Sequence, residues 1–309
     1  MTLQQFITII FNGLTGASFL ALLTLAIVLI FRTSYTANFA QGAIATFTAY
    51  AVTTLFTKYF LVMFPDSNVL LLISIAIIIS VFIGFLIGYI IDVFIIRKSK
   101  FSNPMTKQMI TMGMVMVIGG LIPLIYGTTE LPVPRQLSNT VLQLNVGGDV
   151  PVYLPVHNII SIVVSFVIIT AIFVALKKTK WGLGVRATAS NETVASMMGV
   201  NTRFITAMSW GIAGGIGAVA SALYAPTVFG LDINLMTPVQ INSFLAAVLG
   251  GFSTFGGPIF AAILIPISRS LIYQLISNTW ANTIVYFVII LVILIKPIGL
   301  FGKRIAKKV

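Results

Sequence analysis

Along this chain, long uncharged stretches alternate with short segments that carry almost all of its charge. Eight stretches are long enough to cross a bilayer, which takes roughly 20 apolar residues: 1–31, 33–57, 67–91, 108–129, 150–176, 204–231, 233–268 and 270–295. Their Ile, Leu, Val, Phe and Ala run on without the period-2 alternation of an outer-membrane barrel. The pattern predicts an all-α integral membrane protein. The first run has no basic leader and is too long and glycine-punctuated for a cleavable signal peptide.

Basic residues set the orientation, because cytoplasmic loops carry the excess of Lys and Arg. Arg32 stands alone; Arg97, Lys98, Lys100 and Lys107 form one cluster; Lys177, Lys178, Lys180, Arg186 and Arg203 form a second; Lys296, Lys303, Arg304, Lys307 and Lys308 form a third. The acids Asp66, Glu130, Asp149 and Asp232 fall in the intervening, external segments. Parity then exposes a fault, since three runs separate the second cluster from the third. Run 233–268 would make a helix about 54 Å long at about 1.5 Å per residue, against a hydrocarbon core of about 30 Å. Gly250, Gly251, Gly256 and Gly257, followed by Pro258, mark a break there. Split into a short helix over about 239–250 and a longer one from about 258, the chain makes nine passes. The N-terminus is then external and the C-terminus cytoplasmic; if some passes are half-helices, eight full spans remain. The expected architecture is one transmembrane domain over 1–309, a bundle of 8–9 helices with broken or re-entrant members. Two loops are large: an external one over about 128–155, read as a small β-hairpin or irregular cap, and a cytoplasmic one over about 177–203.

Composition agrees. Of 309 residues, 58% are hydrophobic and 8% charged, against about 45–50% and about 25% in an average globular chain. A net charge of +12 would point to nucleic acid in a soluble protein; here it belongs to membrane orientation, and no nucleic-acid partner is expected. With no cysteine and the single histidine His157, thiol chemistry is excluded, and neither a metal site nor a catalytic constellation is expected.

The cytoplasmic loop carries the most chemistry. Ser190 or Asn191 is a good N-cap, Glu192 suits a first helical turn, and Gly199 is placed to end the helix. A short helix over about 191–198, with small residues and two methionines exposed, is either a connector or a docking helix for a cytoplasmic partner's groove. The stretch from Arg186 and Ala187 through Ala195-Ser196-Met197-Met198-Gly199-Val200-Asn201 resembles the coupling loop of permease subunits of branched-chain amino-acid ABC importers. Three further segments agree in order: Asn12-Gly13-Leu14 with Asn38-Phe39-Ala40-Gln41-Gly42; Ala246-Ala247-Val248-Leu249-Gly250-Gly251 followed by Gly256-Gly257; and Lys296-Pro297-Ile298-Gly299-Leu300-Phe301-Gly302-Lys303. The family's histidine and acid after "NFA" are replaced by Gln41 and Ala43.

The resemblance implies an importer permease fold in a bacterial inner membrane. It implies pairing with a paralogous permease, two cytoplasmic ATPase subunits and an external solute-binding protein, with ATP and Mg²⁺ held by the ATPases. The chain itself has no Gly-x-x-x-x-Gly-Lys-[Ser/Thr] phosphate loop. ATPase coupling then falls to Arg186, Ser190, Asn191, Glu192, Ala195, Ser196, Met197 and Gly199. Asn38, Phe39, Gln41, Gly42, Gln240 and Asn242 either satisfy backbone freed at helix breaks or line the solute path. Arg269 reads as a snorkelling residue or a subunit contact, Asp92 as a cytoplasmic-boundary residue beside Arg97, and His157 as an external-boundary residue. Gly211 and Gly215 have the spacing of a close helix contact. Alternative solutes are urea or amides, sugars and nucleosides. A Na⁺-coupled carrier is a further alternative, weakened by the absence of an acid deep in any run.

Overall fold

Two of the long apolar helices are enclosed by the others. They are α1 (Leu3–Ser34) and α9 (Thr202–Tyr224), and they form the axis of the bundle. Around them lie α2 (Gln41–Thr54), which continues through a π-helical turn into α3 (Leu61–Met63); α4 (Val69–Ile90), extended by a second π segment, Ile91–Ile96; and α5 (Pro104–Tyr126). After β1 (Leu131–Pro132), β2 (Val141–Leu144) and β3 (Val152–Pro155) come α6 (Val156–Lys178), α7 (Lys180–Ser190) and α8 (Glu192–Met197). Beyond α9 follow β4 (Gly230–Leu231), α10 (Thr237–Gly250), α11 (Gly256–Leu275) and α12 (Ala281–Ile295). This computed structural model describes residues 2–99, 103–128, 131–133, 140–145 and 151–302. Glu130, Asp149, Lys100 and the basic C-terminal residues Lys303, Arg304, Lys307 and Lys308 lie outside the described residues.

Among the described residues, six helices are long and apolar enough to cross a membrane: Leu3–Ser34, Val69–Ile96, Pro104–Tyr126, Val156–Lys178, Thr202–Thr227 and Gly256–Leu275. The outer ones among them present Ile, Leu, Val, Phe and Met outward, as a lipid-facing surface requires. α12 is shorter. α2 and α10 have 14 residues each, about 21 Å of helix against a core of about 30 Å. The expected span over 33–57 is therefore not one helix. Residues 36–38 are non-helical, and α2 begins only at Gln41.

Run 233–268 is divided between α10 and α11. Gly251 follows α10 with φ of +89°, a conformation L side chains rarely adopt. Outside the bundle, β2 pairs antiparallel with β3, Val141 opposite Pro155 and Leu144 opposite Val152, and β1 pairs with β4. The close contact of α4 with α9 centres on Gly84 and Gly214. A Cβ on Gly84 would lie 2.6 Å from the Gly214 carbonyl oxygen. Gly211 and Gly215 flank this approach, against the Phe85 ring and Val81.

Gly251→Val is expected to destabilise the protein by about 1–3 kcal/mol through backbone strain, with the added Cβ 2.8 Å from the Ile298 carbonyl oxygen. Gly256→Ala, which meets nothing within 4 Å, should leave the thermal midpoint in detergent unchanged. Equal midpoints for both variants would contradict this account of the break.

Candidate functional site

A helix that starts inside a membrane exposes first-turn N–H groups with no water to receive them. Neither Ala40, before α2, nor Met236, before α10, supplies a side-chain cap. The two helices cap each other instead. The Gly42 N–H donates to Gln240 Oε1, on the first turn of α10. The Met236 N–H donates to Thr46 Oγ1, on α2, at 3.2 Å. Gln240 Nε2 donates to the Phe39 carbonyl at 2.7 Å, so one side chain ties both polarities of the break. Asn38 Oδ1 accepts from the Ala40 N–H at 3.0 Å, its Nδ2 donates to Gln41 Oε1 at 3.1 Å, and Gln41 Nε2 donates to the Ala213 carbonyl on α9 at 2.8 Å. Thr111 on α5 accepts from the Phe39 N–H at 3.2 Å.

The other end of α10 is capped in the same manner. Leu300 and Phe301 donate their N–H groups to the carbonyls of Leu249 (2.7 Å) and Gly250 (3.3 Å). Arg32, ending α1, donates to the Ser253 carbonyl at 2.7 Å and lies over the Phe255 ring. The segments 38–42, 246–251 and 296–302 thus converge on α10.

This arrangement sorts the path residues. Asn38, Gln41 and Gly42 are buried, and their polar groups are used within the chain. Phe39 and Gln240 are half-buried and border a hollow of about 360 Å³, with Ala43, Met112, Asn234 and Thr237. The first turns of both short helices reach it, and helix N-termini carry partial positive charge. Asn242 lies on another side of α10, bonded to the Pro238 carbonyl of its own helix at 2.8 Å, beside a separate hollow. Sequence reasoning missed Thr46, Thr111 and the capping role of Leu300 and Phe301. A threonine in an apolar run carries no mark of the helix it will cap, whereas the Lys296–Lys303 motif did flag the Leu300 segment.

On the basic side, α7 precedes the expected short helix. Thr179 caps α7 by accepting from the Gly182 N–H at 3.0 Å. Asn191, and not Ser190, caps α8, accepting from the Val194 N–H at 3.0 Å; Ser190 is the exposed last residue of α7. Arg186 is exposed near the Lys177 carbonyl. Glu192 and Ser196 are exposed, and Gly199 follows α8 with φ of +82°. Ala195 departs from the expected exposed knob: it is 5% exposed, because it is the one α8 position turned toward the protein. The free surface is Val194, Met197 and Met198, the methionines each 80% exposed. Tyr35 Oη, beyond α1, donates to the Ala189 carbonyl at 2.9 Å and ties this loop to the bundle.

Asp92 is 2% exposed and paired with Arg97, which also donates to the Arg203 carbonyl. The π segment makes the pair possible, since one i→i+5 turn stacks residues five apart. His157 is not at an open boundary: it is 2% exposed, with Nε2 2.9 Å from the Leu223 carbonyl of α9. Among the described residues, no three His, Cys, Asp or Glu gather to hold a metal.

Gln240→Leu should leave buried backbone groups unpaired at both Gly42 and Phe39, each unpaired group costing about 1–3 kcal/mol. Asn242→Leu, which loses only a bond within its own turn, should cost less than about 0.5 kcal/mol. Thermal unfolding in detergent ranks the two, and the reverse order would refute the cross-capping.

Proteins similar in sequence match nearly the whole chain. The chain is 23% identical to the high-affinity branched-chain amino acid transport system permease protein BraD of Pseudomonas aeruginosa, over 99% of the chain and 98% of that protein. It is 22% identical to the corresponding permease protein LivH of Escherichia coli, over 98% of each. The autoinducer 2 import system permease protein LsrC of Salmonella paratyphi B is 31% identical over 33% of the chain and 30% of its own length. No solved structure matches. Residues 9–294 match the family described as the permease component of the branched-chain amino acid transport system, and the chain belongs to that family.

Proposed function

We propose that this chain forms half of the solute pathway of an ATP-driven importer for branched-chain or related amino acids in a bacterial inner membrane. The observation that carries the reading is the near full-length likeness to two permease proteins named for that transport. The geometry supports it. Two short helices begin inside the membrane and aim their N-termini at a common hollow, an arrangement suited to a zwitterionic solute. Phe39 and Gln240 line that hollow, Asn38, Gln41 and Gly42 hold its backbone, and Asn242 stands on the far side of α10. A paralogous permease supplies the other half, and an external binding protein delivers the solute. The partial likeness to the autoinducer 2 permease favours, as a second reading, a different solute on the same fold.

In this reading α8 is the ATPase contact. Its Met197 and Met198 offer a soft apolar surface that adapts to a groove, with Glu192 and Arg186 orienting the loop. ATP and Mg²⁺ belong to the two ATPase subunits. The double substitution Met197→Glu with Met198→Glu should leave the amount of permease in the membrane unchanged. ATPase co-purification and uptake should each fall at least tenfold. Parental values for both would reduce α8 to a connector.

We infer an external N-terminus and a cytoplasmic α7–α8, a reading supported by the distribution of basic residues. Single cysteines put into this cysteine-free chain at Thr2 and Lys178 test this with an impermeant thiol reagent. Position 2 should label in intact cells and position 178 only after permeabilisation; the opposite pattern inverts the topology.

A further inference from the structure

The hollow of about 360 Å³ beside α2 and α10 is bordered on its other side by α5. Met112, Val115, Met116 and Gly119 form that wall. Their spacing puts them on one face of a helix, in the middle of the length from Pro104 to Tyr126. Both methionines and Val115 are exposed. The facing wall carries Gln240 with Asn234 and Thr237. Asn234 and Thr237 are exposed, and among the described residues neither side chain makes a hydrogen bond. Uncommitted polar side chains on a membrane-spanning bundle suit a wet path and not lipid. The hollow therefore has one apolar wall and one polar wall. Gly119 is the gap in the apolar wall, since a Cβ added there would meet nothing within 4 Å. Gly120 is equally open but lies about 100° further round the helix and does not border the hollow.

We propose that this face of α5 is the subsite for the solute's side chain, and that Gly119 sets the length of aliphatic chain it admits. The inference rests on the amino-acid import reading and deepens it, from the class of solute to the residue that selects within the class. An aliphatic amino acid has a charged end and an apolar end. Between these two walls one orientation satisfies both: the charged groups toward Asn234, Thr237 and the first turn of α10, and the hydrocarbon against α5. Thioether side chains are flexible and polarizable, so Met112 and Met116 adapt to differently branched carbon skeletons. A polyol would meet the same wall with its hydroxyls unpaired. A side chain at position 119 would project into the hollow and take the room that the longer of two aliphatic solutes needs.

The test uses the complete importer, this chain with its partner subunits and binding protein, in proteoliposomes with equal permease incorporated. Leucine and valine are the probes, each at a concentration that saturates the binding protein, which is the same in every variant. One methylene in an apolar pocket discriminates by roughly 10–200-fold. Gly119→Leu should lower the maximal leucine rate more than the valine rate, so that the leucine-to-valine ratio falls at least threefold. Gly120→Leu should keep the parental ratio. In a second arm, Gly119→Cys is labelled with aminoethyl methanethiosulfonate, and excess leucine during turnover should slow the reaction at least threefold. An unchanged ratio in Gly119→Leu, the same shift in Gly120→Leu, or labelling of Gly119→Cys that leucine does not slow overturns the assignment and makes this face of α5 a lipid or subunit contact. If the parent importer moves neither leucine nor valine, the import reading itself fails, and that result separates the two failures.

Discussion

Backbone N–H groups inside hydrocarbon must be paired, and the two short helices of this chain meet that demand through each other. An isolated membrane helix satisfies its own backbone. A helix that begins partway across leaves first-turn donors open, and here neither α2 nor α10 carries a local cap. The exchange of Gln240 for Thr46 across the pair, with Asn38 and Gln41 bracing the turn before α2, supplies the missing acceptors. At the opposite end, Leu300 and Phe301 close α10, and Arg32 fixes the turn that follows. α10 is thus positioned by groups from both ends of the chain, and the hollow beside it is defined by that positioning.

The same arrangement connects the end of the bundle that carries the basic residues to its middle. Tyr35 bonds the end of α7, and only a short non-helical stretch separates it from the start of α2. Thr206 of α9 reaches back to the Thr33 carbonyl. Around a hollow of about 410 Å³ on this side, Glu192 of α8 faces the Asp92–Arg97 pair and Lys107. The surface of α8 and the first turn of α2 are therefore linked through a few residues.

Much of this is legible in the sequence. Charge spacing located most of the apolar runs, although the run over 33–57 is broken before Gln41 and the boundary drawn at Arg269 falls inside α11; four glycines with Pro258 located the break between α10 and α11, because a helix of that length has no room in a bilayer. Asn191 was one of two readable caps, with Ser190, and the alternation around Val141 left a hairpin or an irregular cap open, of which the pairing of β2 with β3 is the first. What escaped depends on tertiary contact. Asn38 and Gln240 could be singled out as polar groups at breaks, but only the fold reveals that they serve the backbone. Thr46 looks like any threonine in an apolar run. Ala195 lies in a loop whose sequence does not say which face of α8 turns inward. His157 sits at the start of its run, and its burial against α9 follows from how α6 leans.

The measurement that bears most directly on this account is hydrogen–deuterium exchange of the chain in lipid nanodiscs, read at residues 39–46 and 235–240. Cross-capping predicts that the Gly42 and Met236 amides exchange as slowly as those in the middle of α9, and that Gln240→Leu accelerates the Gly42 amide by at least tenfold while sparing α9. Rapid exchange at both amides in the parent chain, at the pace of the turn at 64–68, would contradict it.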